Sequence, residues 1–332
     1  MKKLLVIQTA GLGHAFATRH GVTHIAGLPL IPMRPVFPAL TCTAQATLRT
    51  ALPPAGHGMT ANGFFDTTLR KPFFWEQSSA LVGGPRVWDA FRARGGTVGL
   101  FFFQQSLGEN ADQLLSPAPI HTHGGGLIMA CASAPADLHA RLTRRVRRPF
   151  RLSRYWGPLA SAKSSEWIAD AVAVQLAAPD APDLCLAYLP GLDYDLQRHG
   201  PDHPKSLKAL HAVRAELERL FAAARANGYE AVAFGDYAIT AASRAVFPNR
   251  ALRDAGLFAV RTVRGMAYPD FHQSRAFALA DHQVALVNCP DPAALPRVRD
   301  TLAALDGVAR VLGKAEQAAL GVDHPRTGDL LL

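Results

Sequence analysis

One stretch holds most of the information about the architecture of this chain: FPALTCTAQATLRTALPPAGHG, Phe37 to Gly58. It is nearly uncharged, and Thr41, Cys42 and Thr43 directly follow an apolar Phe-Pro-Ala-Leu. A hydroxyl at a strand-to-helix turn can be a nucleophile if a metal or a base lowers its pKa and the helix N-terminus receives the resulting anion. Alternatively, Thr41 or Thr43 is only the N-cap of the helix predicted over AQATLRTAL. The local sequence leaves both roles open.

The composition is that of a globular protein that prefers anionic partners. Of the 332 residues, 49% are hydrophobic and 18% are charged, which excludes an intrinsically disordered chain. The formal net charge of +9 favours phosphate or sulfate esters, nucleic acid or an acidic membrane surface as partners. Much of this charge lies in RLTRRVRRPFRLSRYW, Arg141 to Trp156, where few aromatic residues interleave with the arginines. We therefore expect a solvated basic arm, or arginines that face a small anionic metabolite, and not a nucleic-acid surface.

Cysteine usage and the N-terminus predict a cytoplasmic protein. The N-terminus MKKLLVIQTAGLGHAFA has the lysines and small residues of a signal peptide, but its apolar run ends before Gln8, which favours a first β-strand. No apolar run approaches the length of a membrane span. Four scattered cysteines without a Cys-x-x-Cys pair predict neither a zinc ribbon nor a disulfide framework, and they suit a reducing compartment. They are Cys42, Cys131, Cys185 and Cys289.

Short apolar runs alternate with helical patterns along the chain, which predicts an α/β protein with a mainly parallel sheet and helices on both faces. The clearest helix is SLKALHAVRAELERLFAAARANG, residues 206–228, with apolar residues at helical spacing. The C-terminal LGKAEQAALGVDHPRTGDLLL predicts a helix, a turn and a last edge strand. The predicted strands are Leu4–Gln8, Thr97–Phe103, Leu184–Leu189, Glu230–Phe234 and Val284–Val287.

No Pro/Ser-rich linker divides the chain, so we predict a single domain over residues 1–332. Cap or insert elements are expected around residues 140–170 and 250–280. The second of these segments lacks clean periodicity. Side chains of RYWGPLASAKSSEW, residues 154–167, could belong to a cap over the active site.

The opening stretch, extended to FPALTCTAQATLRTALPPAGHGMTANGFFD, resembles the nucleophile segment of the type I phosphodiesterase/nucleotide pyrophosphatase branch of the alkaline phosphatase superfamily. Members carry Phe-Pro, two residues, a nucleophilic Thr, a helix, and then a loop with Ser-His-Gly and an Asn. Phe37-Pro38, Thr41, His57-Gly58 and Asn62 fit this register over about thirty residues. The resemblance implies an alkaline-phosphatase-like three-layer α/β/α sandwich, Thr41 as the nucleophile, and Asn62 as a substrate-binding residue of a supporting loop.

Two further segments resemble metal-binding motifs of the same family. In YLPGLDYDLQRHGPDHP, aligning the Gly-Pro pair places Asp193 at a metal-binding Asp and Gln197 at a metal-binding His. In AFGDYAI, Asp236 takes the place of a metal-binding Asp and Tyr237 that of a His. Without the resemblance, Asp193 is either a carboxylate for metal or acid/base chemistry or a helix cap.

The family's metal ligands are incomplete in this chain. Ala10 stands where the first strand of the family ends in Asp, and the last ligand, a His near the C-terminus, has no clear match. His272 is the favoured candidate for it, because His282 precedes an apolar run and is typical of a structural residue. The resemblance therefore implies a degenerate metal site. Thr41, Asp193 and Asp236 could hold one Zn²⁺, Mg²⁺ or Ca²⁺ rather than two Zn²⁺, or no cation at all.

A second histidine cluster lies in APIHTHGGGLI. His121 and His123 are two residues apart, so that an extended segment would point both imidazoles to one face, an arrangement suited to binding a metal or an anionic substrate. The glycines that follow would allow a ligand to approach the backbone closely. The alternative is a polar turn with exposed histidines.

Together, the resemblance implies a divergent phosphoric- or sulfuric-ester hydrolase, similar to the phosphodiesterases. Thr41 would attack phosphorus or sulfur, and Gln197, Tyr237 and His272 would donate hydrogen bonds to the developing charge. Two alternatives remain. One is a metal-free pseudoenzyme or a protein that binds a small anion or metabolite. The other is an enzyme of changed chemistry in a biosynthetic pathway, since such members of the superfamily occur in bacterial biosynthetic gene clusters.

Overall fold

The computed structural model describes residues 2–332, which form two compact units. The first unit comprises residues up to 35, residues 77–80 and residues 85–241. The second unit comprises residues 36–76, 81–84 and 242–332. The single-domain prediction for residues 1–332 stays a prediction, because two units of one chain can still unfold as one cooperative domain.

Helices and strands alternate through much of the chain. The helices are α1 (His14–Arg19), α2 (Thr41–Thr50), α3 (Pro54–His57), α4 (Asp89–Arg92), α5 (Leu138–Val146), α6 (Lys163–Leu176), α7 (Gly191–His199), α8 (Pro204–Ala226), α9 (Pro248–Asp254), α10 (Leu295–Ala303) and α11 (Lys314–Ala319). The strands are β1 (Lys3–Thr9), β2 (His24–Ile25), β3 (Leu28–Pro29), β4 (Gly63–Asp66), β5 (Lys71–Phe74), β6 (Val98–Phe101), β7 (Gln113–Ser116), β8 (Ile120–His121), β9 (Leu127–Ile128), β10 (Ala132–Ala134), β11 (Leu184–Leu189), β12 (Tyr229–Gly235), β13 (Val260–Val263), β14 (Met266–Pro269), β15 (Phe277–Asp281), β16 (Val284–Asn288) and β17 (Leu330–Leu331).

The first unit is built on a six-stranded sheet in the order β10-β7-β6-β11-β1-β12. All neighbouring pairs are parallel except β10 with β7. The strand β1 is the second strand from one edge and lies between β11 and β12, with Val6 level with Leu186 on one side and Val232 on the other. Its continuous apolar run, rather than an alternating pattern, is what a parallel strand covered on both faces requires. The predicted mainly parallel sheet is confirmed.

The carboxyl ends of β1, β11 and β12 lie at one edge of this sheet, because the three strands run parallel and in register. The loop after β1 contains Gly11, β11 leads through Pro190 into α7, and β12 is followed at once by Asp236. This edge is where open α/β sheets place their ligand sites. The helix α8 packs against β12, α6 and α7 and thereby holds this part of the unit together.

The second unit contains the antiparallel sheet β15-β16-β17 and the helix α2. Phe277, Leu286, Val298 and Leu302 lie in its main hydrophobic core. The helix α2 buries Cys42 and Ala46 in a smaller cluster with Met59 and Val82. The predicted strand at 284–287 therefore exists, but it belongs to this antiparallel sheet and not to the parallel one.

Most predicted elements are present. Residues 4–8 form a strand, and the long helix runs from Pro204 to Ala226, with His203 as its N-cap through a hydrogen bond from the Lys205 amide (3.1 Å). The C-terminal helix, turn and edge strand are confirmed by α11 and β17. Residues 140–170 span parts of α5 and α6, and residues 250–280 contain the exposed hairpin β13–β14.

Two further sequence inferences concern cysteines and membranes. All four cysteines are buried, and the described residues contain no disulfide bond. No helix in residues 2–332 is long and apolar enough to cross a membrane.

Candidate active site

Asp236 is a buried carboxyl at the end of β12, held by two hydrogen bonds within the first unit. Its Oδ2 accepts a bond from Gln8 Nε2 (2.8 Å), and its Oδ1 accepts one from the Gly11 amide (3.1 Å). Burial, with a smaller contribution from the charge of Asp193, raises the pKa of Asp236 to about 7, although both hydrogen bonds oppose this shift. Asp236 is therefore a carboxyl that titrates near neutral pH.

The Gly11 amide reaches Asp236 because residue 11 has a left-handed backbone, with φ of +72°. A Cβ atom at this position would also lie 3.2 Å from Leu196 Cδ1 and 3.6 Å from Asp193 Cα. Glycine is thus required both by the backbone angle and by the close approach of α7.

Asp193 lies in the first turn of α7 and is also buried. Its Oδ1 accepts a hydrogen bond from the Tyr237 hydroxyl (2.8 Å), and its Oδ2 accepts one from Gln197 Nε2 (2.7 Å), one helical turn further along. The two positions at which the resemblance expects imidazole ligands therefore carry donors that bond to the carboxylate itself. In this arrangement the Asp193 charge is stabilised by neutral O–H and N–H groups.

These residues do not fit a two-zinc centre. Every oxygen of Asp193 and Asp236 accepts a hydrogen bond from a donor of the chain, and Ala10 contributes no ligand atom. Zinc sites in proteins are made of nitrogen, sulfur and carboxylate ligands, commonly four. Among residues 2–332, no three His, Cys, Asp or Glu side chains form a group that could hold a metal ion.

In the second unit, Thr41 is the first residue of α2 and is buried. The N-cap position belongs to Leu40, which has extended backbone angles and makes no side-chain capping bond. The interpretation of Thr41 or Thr43 as the N-cap is therefore wrong, because both residues lie inside the helix. The capping acceptor comes from a distant residue instead: Asn62 Oδ1 accepts a hydrogen bond from the Cys42 amide (3.0 Å).

Asn62 is fixed in turn by Asp281, at the end of β15. Asp281 Oδ2 accepts a hydrogen bond from the Asn62 amide (2.6 Å), and its Oδ1 accepts one from Asn62 Nδ2 (3.1 Å). His282 Nδ1 lies 2.7 Å from the same Oδ1. A chain of polar contacts thus runs from Asp281 through Asn62 to the second amide of α2, next to Thr41. It orients the helix start, and sequence reasoning missed the part played by Asp281.

His57 has a structural role in the same unit. Its Nδ1 accepts a hydrogen bond from the Met59 amide (3.1 Å), so Nε2 carries the proton and donates to Thr47 Oγ1 (2.9 Å). Burial, aided by the charges of Arg49 and His324, lowers the pKa of His57 to about 4. The imidazole is therefore neutral at physiological pH. Gly58 follows with φ of +77°, and a Cβ there would lie 3.0 Å from His324 Nε2.

The other predicted site histidines are exposed. His121 and His123 lie in and next to the small hairpin β8–β9 of the first unit. His272 lies in a loop of the second unit, where its amide donates to Asp270 Oδ1 (3.1 Å). The structure gives none of the three a place in a metal-binding group of the described residues. Their roles in substrate binding and in catalysis stay predictions.

Comparison with known proteins identifies the family. A family model described as type I phosphodiesterase/nucleotide pyrophosphatase matches residues 27–332. The chain belongs to this family. The predicted membership of the alkaline phosphatase superfamily is thereby confirmed. Among curated protein sequences no match is found.

Solved structures of the superfamily share the fold. A phosphonoacetate hydrolase from Sinorhizobium meliloti 1021, in complex with phosphonoformate, superposes with a TM-score of 0.68 at 18% identity, covering 100% of this chain and 80% of that chain. The murine ectonucleotide pyrophosphatase/phosphodiesterase 5 superposes with a TM-score of 0.65 at 18% identity, covering 99% and 78%. The predicted alkaline-phosphatase-like α/β/α fold is confirmed.

Members of the phosphodiesterase family use divalent metals such as zinc. The sequence register correctly locates Asp193 and Asp236 at the carboxyl edge of the parallel sheet. It does not show that Gln197 and Tyr237 donate to Asp193. For Asp236 the sequence did hold a signal: Gln8 directly follows the apolar run 4–7 of a buried strand and therefore needs a polar partner inside the protein.

Proposed function

We propose that this chain is a divergent phosphoric- or sulfuric-ester hydrolase in which Thr41 is the nucleophile. One observation carries the proposal: within the matched family, Thr41 is the first residue of a helix whose start is held in place by Asn62. The N-terminus of a helix carries a partial positive charge and offers amide donors, so it favours a phosphate or sulfate group at this position. The expected partner is a small anionic ester or metabolite.

In this proposal Thr41 Oγ forms a bond to phosphorus or sulfur while the bond to the leaving alcohol breaks in line. The hydroxyl proton ends on the departing alkoxide, and water then releases the phosphate or sulfate from the threonine. In the family, cations neutralise the charge that develops in such a step. Here no step passes through a metal, since Asp193 and Asp236 already accept hydrogen bonds from the chain. We therefore expect slow turnover that chelators do not abolish.

A second candidate function is binding of a phosphate ester without turnover. It is favoured by the same hydrogen bonds, because neutral donors satisfy both carboxylates and leave no group in the described residues suited to a catalytic cation pair. In this case Thr41 would bind the ester but would not attack it. A cytoplasmic location is proposed for either function and is supported by the four buried cysteines.

The nucleophile is tested by comparing Thr41→Val with Thr43→Val. Both residues are buried threonines in the first turn of α2, so the two variants lose the same hydroxyl from the same helix turn. Hydrolysis of p-nitrophenyl phosphate, bis(p-nitrophenyl) phosphate and p-nitrophenyl sulfate is measured with chelator present. We expect Thr41→Val to lower kcat at least 100-fold, Thr41→Ser to keep part of it, and Thr43→Val to stay near the wild type.

Equal rates in Thr41→Val and Thr43→Val would contradict a threonine nucleophile. If the wild type turns over none of the three esters but binds them in calorimetry, the binding function replaces the hydrolase. Thermal melts of each variant show whether a lost rate reflects unfolding.

The degenerate metal site is tested by restoring the family's ligands in the triple variant Ala10→Asp, Gln197→His, Tyr237→His. The two histidines would remove the hydrogen bonds that Asp193 now accepts and supply imidazole nitrogens to a cation. Calorimetry with ZnCl₂ should detect stoichiometric zinc in the triple variant and none in Ala10→Asp alone. Stoichiometric zinc in the wild type would show that its donor set does hold the metal.

A further inference from the structure

A cavity of about 490 Å³ opens in the first unit, between the segment that follows α5 and the start of α6. This basic cavity is lined by four cations, Arg148, Arg151, Arg154 and Lys163, and by one carboxylate, Glu166. The lining therefore has a formal charge of +3 (four positive, one negative). The volume lies in the range of small-molecule sites and exceeds what a single inorganic ion fills.

The negative charges near this cavity are already neutralised. Arg148 Nη1 pairs with Glu166 Oε1 at 2.7 Å, and Arg148 also contacts Asp170. Asp170 has a second partner in Arg219, at 2.6 Å. Burial raises the pKa of Glu216 to about 8, so this nearby carboxyl is mainly protonated at pH 7. No further acid in the residues of the cavity lining offsets the remaining arginines and lysine.

Three of the four cations have no side-chain partner among the residues that the structure describes. In residues 2–332, Arg151, Arg154 and Lys163 take part in no ion pair and no side-chain hydrogen bond. Lys163 is also the first residue of the 14-residue helix α6, whose N-terminus adds partial positive charge on the same side. Like charges on one concave surface repel each other, and a bound anion would relieve this repulsion.

The wall that carries these cations is well supported. Trp167 Nε1 donates to the Arg148 carbonyl (2.8 Å), and the Phe150 and Trp167 rings lie 5.0 Å apart. The Tyr194 hydroxyl donates to the Tyr155 carbonyl (2.7 Å). The two aromatic side chains of the cavity, Phe150 and Trp167, are buried, so they offer no exposed face on which nucleic-acid bases could stack.

We propose that the basic cavity is a binding site for a small molecule that carries two or more negative charges on phosphate groups, separate from the chemistry assigned to Thr41. Arg151, Arg154 and Lys163 would bind the phosphate oxygens, and arginine suits them because its planar guanidinium donates two parallel hydrogen bonds. Arg148, held by Glu166 and Asp170, fixes the wall rather than the ligand. The site accounts for the basic segment 141–156, which the hydrolase function leaves unexplained.

Calorimetry with inorganic pyrophosphate tests the site in the full-length protein. The cavity variant carries Arg151→Gln, Arg154→Gln and Lys163→Gln. The control variant carries Arg144→Gln, Arg145→Gln and Arg147→Gln, which removes the same charge from exposed arginines of the same segment that do not line the cavity. We expect the cavity variant to weaken binding at least tenfold and the control variant to weaken it less than twofold. Thr41→Val should bind like the wild type, whether or not it hydrolyses esters.

Three results would overturn the proposal: no binding by the wild type, equal loss in both triple variants, or loss of binding in Thr41→Val. A single-stranded oligonucleotide that binds more tightly than pyrophosphate and is weakened equally by both triple variants would instead indicate a nucleic-acid surface. Thermal melts confirm that each triple variant is folded before it is compared.

Discussion

Asp236 is a buried side chain whose ionisation should influence the stability of the protein near neutral pH. Its pKa is about 7 in the folded protein and near 3.8 in an unfolded chain. Between these values the unfolded state releases a proton that the folded state keeps, so the free energy of unfolding falls as pH rises from about 4 to about 7. Above pH 7 this stabilising contribution is lost.

Asp236→Asn should remove this pH dependence. Its amide can donate to Gln8 if the Gln8 side chain flips, since Gln8 Oε1 is buried without a hydrogen-bond partner. We expect the variant to fold, and its stability relative to the wild type to increase from pH 4.5 to about pH 7 and to level off towards pH 8. Urea unfolding across this range measures the difference in the free energy of unfolding between variant and wild type. The opposite pH dependence that His57 contributes is the same in both proteins and cancels in this difference. A difference that does not change with pH would refute the shifted pKa.

Asn62 is expected to matter for stability because it serves two buried partners at once. Asn62→Ala would leave the Cys42 amide without its acceptor and would remove the side-chain donor to Asp281 Oδ1, at a cost of about 1–3 kcal/mol. The bond from the residue 62 backbone amide to Asp281 Oδ2 would remain. Asn62→Asp keeps an acceptor for Cys42 but places a second carboxylate against Asp281. We expect Asn62→Asp to be the less stable of the two at pH 8 and to recover as the pH falls.

Thr60→Val is the matched control for Asn62. Thr60 is buried in the same loop, but its hydroxyl has no hydrogen-bond partner, so its removal should cost little. Urea unfolding of the three variants decides the matter. If Asn62→Ala and Thr60→Val are equally stable, the polar connection between Asp281 and α2 contributes nothing.

Among the elements, the turn after β1 is the one that the carboxylate cluster depends on most. Gly11→Ala would force a Cβ into the left-handed region and towards Leu196, while Gly21→Ala has the same backbone angle with no heavy atom within 4 Å. The backbone cost of about 1–2 kcal/mol is common to both. We expect Gly11→Ala to lose at least about 1 kcal/mol more in urea unfolding, because of crowding. Equal losses would show that α7 yields to the extra carbon.

Four strands of the six-stranded sheet, β1, β6, β11 and β12, were predicted from sequence, whereas β7 and β10 and most strands of the smaller sheets were not. The strand β11 was predicted to the residue because an apolar run bounded by polar residues is an unambiguous pattern. The strand at 284–287 gave the same local signal but pairs with β15 and β17, and pairing depends on distant residues. The hairpin β13–β14 is exposed along its length and therefore carries no burial pattern to read.

For the candidate site, the sequence located residues but not their contacts. The family register identified Asp193, Asp236 and the substitutions at 197 and 237, because the spacing of a motif is a property of the chain. That Gln197 and Tyr237 turn towards Asp193 depends on side-chain angles that spacing does not fix. The same is true of Asp281, which lies 219 residues from Asn62.

At the scale of the whole molecule, the uneven positive charge was visible in the sequence, but its arrangement was not. The segment 141–156 predicts a basic surface, and the structure shows that Glu166 and Asp170 neutralise Arg148 while other cations of the lining keep their charge. Because Glu166 and Asp170, which follow the segment in the sequence, pair with Arg148, the other arginines of the lining remain available for a ligand. Composition alone cannot make this distinction.

The four buried cysteines can report how the protein unfolds, because each becomes reactive only when its surroundings unfold. Cys131 and Cys185 belong to the first unit, and Cys42 and Cys289 belong to the second. Burial raises the pKa of the Cys131 and Cys185 thiols and raises that of Cys289 to about 11, so the folded chain should resist alkylation.

Mass spectrometry of alkylated peptides would give the urea concentration at which the cysteines of each unit become exposed. A single cooperative domain should expose all four thiols at one midpoint, whereas two midpoints, one for each pair, would contradict the single-domain prediction. The native cysteines, two in each unit, therefore report the unfolding of each unit without any engineered label.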